Sequence, residues 1–191
     1  VYNISNIIDI RIYNSVMIQK GMQDVKAYNW GVYSGKYRVL VNVPIALANA
    51  MCSSIVPVLT GLIVREEYRQ AKEKIGQAMR FTMIVAIPST VGLAILARPI
   101  ITMLFRGEID LAVNLLHLGS VSVIFYTMST LTNGVLQGIN RMKIPVRNAC
   151  IALVVHIAFL YAALEMNMGI QAVVYANILF AIIVCILNHV A

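Results

Sequence analysis

Residues 39–64 read VLVNVPIALANAMCSSIVPVLTGLIV and contain no charged side chain. About 20 predominantly apolar residues are enough for a helix to cross roughly 30 Å of hydrocarbon. The run therefore predicts a membrane-spanning helix. A single run of this kind could also be a buried helix of a large soluble protein, so the rest of the chain decides between the two interpretations.

Five further segments of the chain are long and apolar. Four of them lack charged residues, and the first contains only Asp9 and Arg11; the five are residues 1–18, 81–97, 111–140, 148–164 and 166–188. The chain as a whole is 60% hydrophobic and 12% charged, whereas about 25% of the residues of a soluble domain are charged. We therefore expect about six membrane spans.

The apolar runs favour helices over membrane β-strands. Strands of a membrane barrel alternate apolar and polar residues over about 10 positions, and runs such as residues 151–155 (IALVV) do not alternate. A helix also satisfies its own backbone hydrogen bonds inside lipid. The predicted fold class is an all-α, polytopic membrane helical bundle that takes up residues 1–191.

The loops between the segments indicate an orientation. Residues 65–80 and 141–147 carry more basic side chains, over a shorter length, than residues 19–38 and 98–110. Basic loops remain on the cytoplasmic side of a membrane, so we expect 65–80 and 141–147 there, in a multi-pass protein of the cytoplasmic membrane. We attribute the net charge of +7 to basic loops between membrane spans. Because we see no soluble basic face, we expect no nucleic-acid partner.

Motifs of catalysis and metal binding are not found in the sequence. The three cysteines and three histidines are scattered, and there is no phosphate-binding Gly-rich loop, HExxH or GxSxG motif. We expect neither an enzyme nor a metal site. The polar residues inside the spans are the remaining candidates for function, although Asn, Ser and Thr also join membrane helices to one another without any further role.

Three stretches, taken in order, resemble a known family. They are residues 33–38 (YSGKYR) with Asn42, Pro44 and Pro57 after them, residues 92–100 (GLAILARPI), and residues 136–146 (LQGINRMKIPV). This set is similar to the polysaccharide-flippase branch of the MOP (multidrug/oligosaccharidyl-lipid/polysaccharide) exporter superfamily. The nearest groups are the stage V sporulation protein B group and the MurJ-type lipid II flippases.

The resemblance implies a fold of two lobes around a central cavity, with this chain forming most of the second lobe. We therefore expect a fragment of a longer chain whose first lobe is missing. The implied function is the movement of a lipid-linked sugar or polysaccharide precursor, such as a lipid II-like molecule, to the outer leaflet by alternating access. The implied partners are the lipid bilayer and this cargo, with Na+ or H+ as the coupling ion and no other cofactor.

The resemblance also implies functional residues. Arg38 stands 19 positions before Pro57, where MurJ-type flippases have a cavity arginine, and an arginine is suited to a pyrophosphate. The alternative for Arg38 is that it extends outward to lipid head groups. The candidate substrate-binding residues are Arg38, Asn42, Asn49 and Gln137.

A second set of candidates concerns ion coupling. Asp9 lies in the first span, where MurJ-type flippases have an acidic residue of an ion-coupling site, and ionisable groups in spans usually face a cavity or the bundle interior. The candidate ion-coupling residues are Asp9, Asn148 and Asn177, with His156 as a further polar group on the same helices.

Two other functions remain open. A multidrug or cation antiporter of the same superfamily would have an acidic, aromatic cavity. A polytopic membrane protein without transport activity would be expected to have a soluble catalytic segment or a clustered acidic motif.

Overall fold

The chain folds almost entirely into helices. A computed structural model describes residues 2–107 and 109–190, and within these ranges it contains helices and turns but no strand, which confirms the all-α prediction. Val1, which we placed in the first span, lies outside the described residues. The helices are α1 (Tyr2–Gln19), α2 (Gln23–Val32), α3 (Arg38–Val64), α4 (Tyr68–Ile95), α5 (Ala97–Leu104), α6 (Asp110–Gly119), α7 (Ser122–Gly138), α8 (Lys143–Glu165) and α9 (Gln171–Val190), with a π-helical turn (Tyr33–Tyr37) between α2 and α3.

One continuous helix comprises α2, the π-helical turn and α3. From residue 24 to residue 64 they form one helix of 41 residues, which at 1.5 Å per residue is roughly 60 Å long. We expected residues 19–38 to be a loop because basic residues interrupt the apolar pattern there. That expectation is wrong from residue 23 onward, because Val32, Tyr33 and Tyr37 are buried and pack one face of this segment into the main core.

The basic segment 65–80 also becomes helical. Only residues 65–67 form a turn, in which Glu66 has a left-handed backbone (φ 60), and α4 begins immediately after them at Tyr68. With 28 residues, α4 is roughly 42 Å long and exceeds the hydrocarbon thickness of about 30 Å. Its basic first turns therefore have enough length to reach the head groups.

The number of membrane spans is close to the predicted one. Among the described residues, four helices are long and apolar enough to cross a membrane: 24–64, α4, α8 and α9. α6 and α7, bent by 50° at a short break, form a fifth if they count as one span. α1 does not reach the same hydropathy, so the expected six spans are an approximation for this part of the chain.

The helices pack around a central pair formed by α3 and α7. α3 packs on α4 and α7, α7 also packs on α9, α9 packs on α8, and α8 contacts α1. Lys20, just after α1, fixes the end of α8: its Nζ donates to the carbonyl oxygens of Leu164 (2.7 Å) and Glu165 (2.9 Å). A cation is favourable at that position because the last carbonyls of a helix have no partner within it.

Two glycines allow α3 and α7 to approach closely. A Cβ atom at Gly134 would overlap Sγ of Cys52, and one at Gly138 would lie 3.0 Å from Cβ of Leu59. The backbone carbonyl of Gly138 also accepts a hydrogen bond from Thr60 Oγ1 at 3.1 Å. This spacing of small residues, four positions apart, is typical of tight helix pairs in membranes.

Candidate functional site

A polar cavity of about 100 Å³ lies where α1, the π-helical turn, α3, α7 and α9 meet. Most of its lining residues have polar side chains, which is unusual for the interior of a membrane bundle. They are Ser5, Asn6, Tyr33, Tyr37, Arg38, Asn42, Asn49, Tyr126, Thr130 and Asn177.

Arg38 is the one charged residue among those that line this cavity. It is half-buried and lies close enough to Tyr33 and Tyr37 to interact electrostatically with both. Its guanidinium makes no hydrogen bond or salt bridge with another residue in the described part of the chain. A guanidinium whose donors are uncommitted is suited to an anion with several oxygens.

The structure brings three of the four predicted substrate-binding residues together. Arg38, Asn42 and Asn49 lie four and seven positions apart, so they share one face of α3, and all three line the cavity. Gln137 is exposed near the end of α7 and is not among the lining residues.

The interpretation of the sequence missed a row of aromatic residues that begins beside the cavity and ends in its lining. The rings of Tyr13, Trp30, Tyr33 and Tyr37 follow one another with centroid separations of 5.7, 5.2 and 5.4 Å. Three of these residues lie in the segment that we took for a loop. Their spacing of three and four positions was the signal, because such residues share one face of a helix.

A second polar cluster lies directly beside the cavity. Asp9 on α1 and His156 on α8 are both fully buried, and His156 Nε2 lies 2.6 Å from Asp9 Oδ1. Asn177 on α9 donates to the other carboxylate oxygen, Oδ2, at 3.1 Å. Two of the three predicted ion-coupling residues, Asp9 and Asn177, are therefore in contact, and His156 completes the group.

Asn177 connects this cluster to the cavity, which it also lines. Its Nδ2 atom lies 3.2 Å from the hydroxyl oxygen of Tyr33, and its Oδ1 atom accepts a hydrogen bond from the Tyr126 hydroxyl at 3.0 Å. One amide side chain thus joins Asp9 on α1 to the walls of the cavity.

The third predicted ion-coupling residue, Asn148, lies in a separate network. It is buried and donates to Asn188 Oδ1 at 3.0 Å, and Asn188 donates in turn to Asn133 Oδ1 at 2.7 Å. Asn148 and Asp9 share no hydrogen bond. The network joins α7, α8 and α9, which is the packing role that amides commonly have between membrane helices.

Comparisons with known proteins agree with the sequence-based resemblance. The family model described as "Lipid II flippase MurJ" matches residues 33–190. A lipid II flippase MurJ of Bacillus subtilis (strain 168) is 28% identical over 153 residues, which is 78% of this chain and 28% of that protein. A probable lipid II flippase MurJ of Bdellovibrio bacteriovorus is 24% identical over 155 residues, 78% of this chain and 29% of the relative.

The chain thus spans less than a third of the length of these curated relatives. No solved structure is significantly similar to it. The matched region contains the cavity arginine, His156 and Asn177 and begins after Asp9.

Proposed function

Because this chain belongs to the lipid II flippase MurJ family, we propose that the protein moves a lipid-linked sugar precursor across the cell membrane. The cargo would carry sugars and a pyrophosphate at one end and a lipid tail at the other. The observation that carries this proposal is that Arg38, a half-buried residue, lines a polar cavity between apolar helices.

The two parts of such a cargo need different surroundings. The pyrophosphate and sugars need hydrogen-bond partners, because a polar group in an apolar environment without a partner costs several kcal/mol. Arg38, Asn42 and Asn49 would supply these partners on one face of α3. The lipid tail needs no site in the protein, since it is as apolar as the bilayer around it.

The cavity is too small to hold the whole head group. Its volume of about 100 Å³ lies below the roughly 300–1,000 Å³ of ordinary ligand sites. A second lobe, provided by the part of the relatives that this chain does not match, would enlarge it. Alternating access then requires the two lobes to tilt against each other so that the cavity opens to one side at a time.

An ion gradient is the proposed energy source. Asp9 is a buried ionisable group in contact with Asn177, and Asn177 lines the cavity. A change in the charge at Asp9 would therefore reach the cargo site through a single side chain. The family's relatives, named as flippases, favour a transporter over an enzyme.

The cavity does not favour the multidrug alternative. A site for organic cations would expose carboxylates, and no carboxylate is among the lining residues of this cavity. The carboxylate of Asp9 is fully buried and contacts Asn177, which lines the cavity.

The test is a set of substitutions at Arg38 in the full-length protein. Cells that depend on this flippase for growth would receive Arg38→Ala or Arg38→Lys at equal membrane abundance. A lost hydrogen bond to a charged group costs about 1.5–3 kcal/mol, so we expect Arg38→Ala to reduce activity at least about tenfold. Lys keeps the charge but lacks the planar fork, so Arg38→Lys should remain clearly impaired.

Arg98→Ala is the matched control. Arg98 makes an exposed salt bridge of 2.7 Å to Asp110, and such surface pairs contribute little, so this variant should support growth like the wild type. Full activity of Arg38→Ala would contradict the proposed cargo site. Full activity of Arg38→Lys together with inactive Arg38→Ala would reduce its role to that of a positive charge.

A further inference from the structure

The carboxylate of Asp9 is enclosed by nitrogen donors. His156 Nε2 lies 2.6 Å from Oδ1, and Asn177 Nδ2 lies 3.1 Å from Oδ2. Both Asp9 and His156 have no exposed surface. Each carboxylate oxygen therefore has a protein partner that presents nitrogen to it.

Neighbouring carbonyl groups fix the orientation of both partners. His156 Nδ1 lies 2.8 Å from the carbonyl oxygen of Ala176, and Asn177 Nδ2 lies 2.8 Å from that of Val173. A carbonyl oxygen can only accept a hydrogen bond. Nδ1 of His156 must therefore carry a hydrogen, and the nitrogen of the Asn177 amide must be the atom that faces Val173 and Asp9.

This arrangement does not fit Na+, one of the two coupling ions that the family resemblance implies. Hard cations are bound by several oxygen atoms. Here both oxygens of Asp9 face N–H or ring nitrogen rather than further oxygen atoms.

The arrangement does fit a proton. The hydrogen on Nδ1 is used in the bond to Ala176. The 2.6 Å contact between Nε2 and Oδ1 therefore needs a second hydrogen. Either Nε2 carries it, giving imidazolium and carboxylate, or Oδ1 carries it, giving imidazole and carboxylic acid. In both forms the pair is neutral. Without that hydrogen, two acceptors would face each other and leave a buried, uncompensated negative charge.

We propose that Asp9 and His156 together bind one proton and that the protein is coupled to H+ rather than to Na+. This inference rests on the proposed function as an ion-coupled flippase and specifies its ion. When the proton is lost, the Asp9 carboxylate and the bare Nε2 of His156 are both acceptors and move apart. Because an unpaired buried charge is costly, the protonated and deprotonated pairs have different structures.

Asn177 passes this change to the cavity. Its amide has two N–H groups but three acceptors within reach: Asp9 Oδ2, the Tyr33 hydroxyl and the Val173 carbonyl. A carboxylate that has lost its shared proton attracts the amide more strongly, at the expense of Tyr33. Among the described residues, Tyr33 of the π-helical turn interacts electrostatically with Asp9 and also with Tyr37 and Arg38. Tyr126 on α7 contacts Asn177.

The experiment is ¹⁵N nuclear magnetic resonance of the full-length protein with labelled histidine, in lipid nanodiscs. The His156 signals are identified by their loss in His156→Gln. We expect the Nε2 signal to shift as the pH is raised, because Nε2 loses its hydrogen bond through the shared proton in either form of the pair, and to stay unchanged when K+ is replaced by Na+ at constant pH.

Asp9→Asn is the informative variant. Its amide can donate to a bare Nε2, so the hydrogen-bonded contact is kept while the shared proton is lost. We expect the Nε2 signal of His156 in this variant to stay constant over the pH range in which the wild-type signal shifts. Asp110→Asn, at an exposed surface salt bridge, should leave the titration unchanged.

An Nε2 signal that responds to Na+ at constant pH, or that responds to neither pH nor Na+, would overturn the proposal. The measurement needs no cargo. If His156 titrates as expected but the protein moves no lipid-linked sugar, the proposed function fails and the proton site stands.

Discussion

At the scale of single residues, the side-chain amide of Asn177 connects three other elements of the bundle. It joins Asp9 of α1, Tyr33 of the π-helical turn and Tyr126 of α7. Inside a membrane bundle a mean interhelical hydrogen bond contributes only about 0.6 kcal/mol. A buried group left without a partner costs more, about 1–3 kcal/mol. The loss of Asn177 should therefore lower the stability mainly because its former partners lose their hydrogen bonds.

Asn177→Leu should therefore lower the stability of the full-length protein by about 1–3 kcal/mol, because Asp9, Tyr33 and Tyr126 each lose a partner. Unfolding by heat or detergent would measure this. Asn188→Leu is the matched control, since Asn188 is another buried amide of α9 but belongs to the Asn148 network. It should also destabilise the protein while leaving the titration of His156 unchanged.

Asn177→Leu should alter that titration and Asn188→Leu should not, because of these two amides only Asn177 contacts Asp9. If Asn177→Leu is as stable as the wild type and His156 titrates identically in both, the Asn177 amide does not stabilise the Asp9 carboxylate.

Part of the site could be predicted from the sequence. Arg38, Asn42 and Asn49 follow one helical face, and Asp9 is conspicuous because a charge inside an apolar segment is costly. The contact between Asp9 and His156 could not be predicted, because the two residues are 147 positions apart. It depends on how α1 packs on α8. The same applies to Asn148, which was grouped with Asp9 and Asn177 but contacts Asn188 of α9.

At the scale of helices, α3 and α7 pack closely against each other. The contact depends on the absence of a side chain at Gly134, where Cys52 Sγ occupies the space. Overpacking of a core by a methyl group costs typically 1–3 kcal/mol.

Gly134→Ala should thus destabilise the full-length protein by about 1–3 kcal/mol, and Cys52→Ala in the same chain should recover most of this loss by removing the overlapping sulfur. A thermal unfolding series of the two single variants and the double variant would show the non-additivity. Gly92→Ala is the control, because nothing lies within 4 Å of its added Cβ. Equal stability of Gly134→Ala and Gly92→Ala would contradict the described α3–α7 contact.

The apolar cores of the helices could be predicted, whereas their ends could not. Runs without charge coincide with α3, α4, α8 and α9, because lipid requires both apolar side chains and internal hydrogen bonding. The ends extend further than expected, as α2 and the first turns of α4 show, since a helix can continue beyond the hydrocarbon with charged residues in place. The cytoplasmic position of residues 65–80 and 141–147 stays a prediction.

At the scale of the whole molecule, the cavity is bounded by only five elements of this chain. Family relatives are more than three times as long as the matched region, and the proposed cargo is larger than the cavity. We infer that the complete site requires further helices, which would cover the polar residues that this bundle presents.

The most direct test of this account is transport by the purified full-length protein in vesicles that contain no ATP. A lipid-linked sugar pyrophosphate with a fluorescent label would be placed in the inner leaflet, and an impermeant quencher outside would report its arrival in the outer leaflet. We predict rapid, protein-dependent quenching under an imposed pH gradient, and none above the protein-free rate for Arg38→Ala. Folded wild-type protein that quenches no faster than protein-free vesicles would contradict the account.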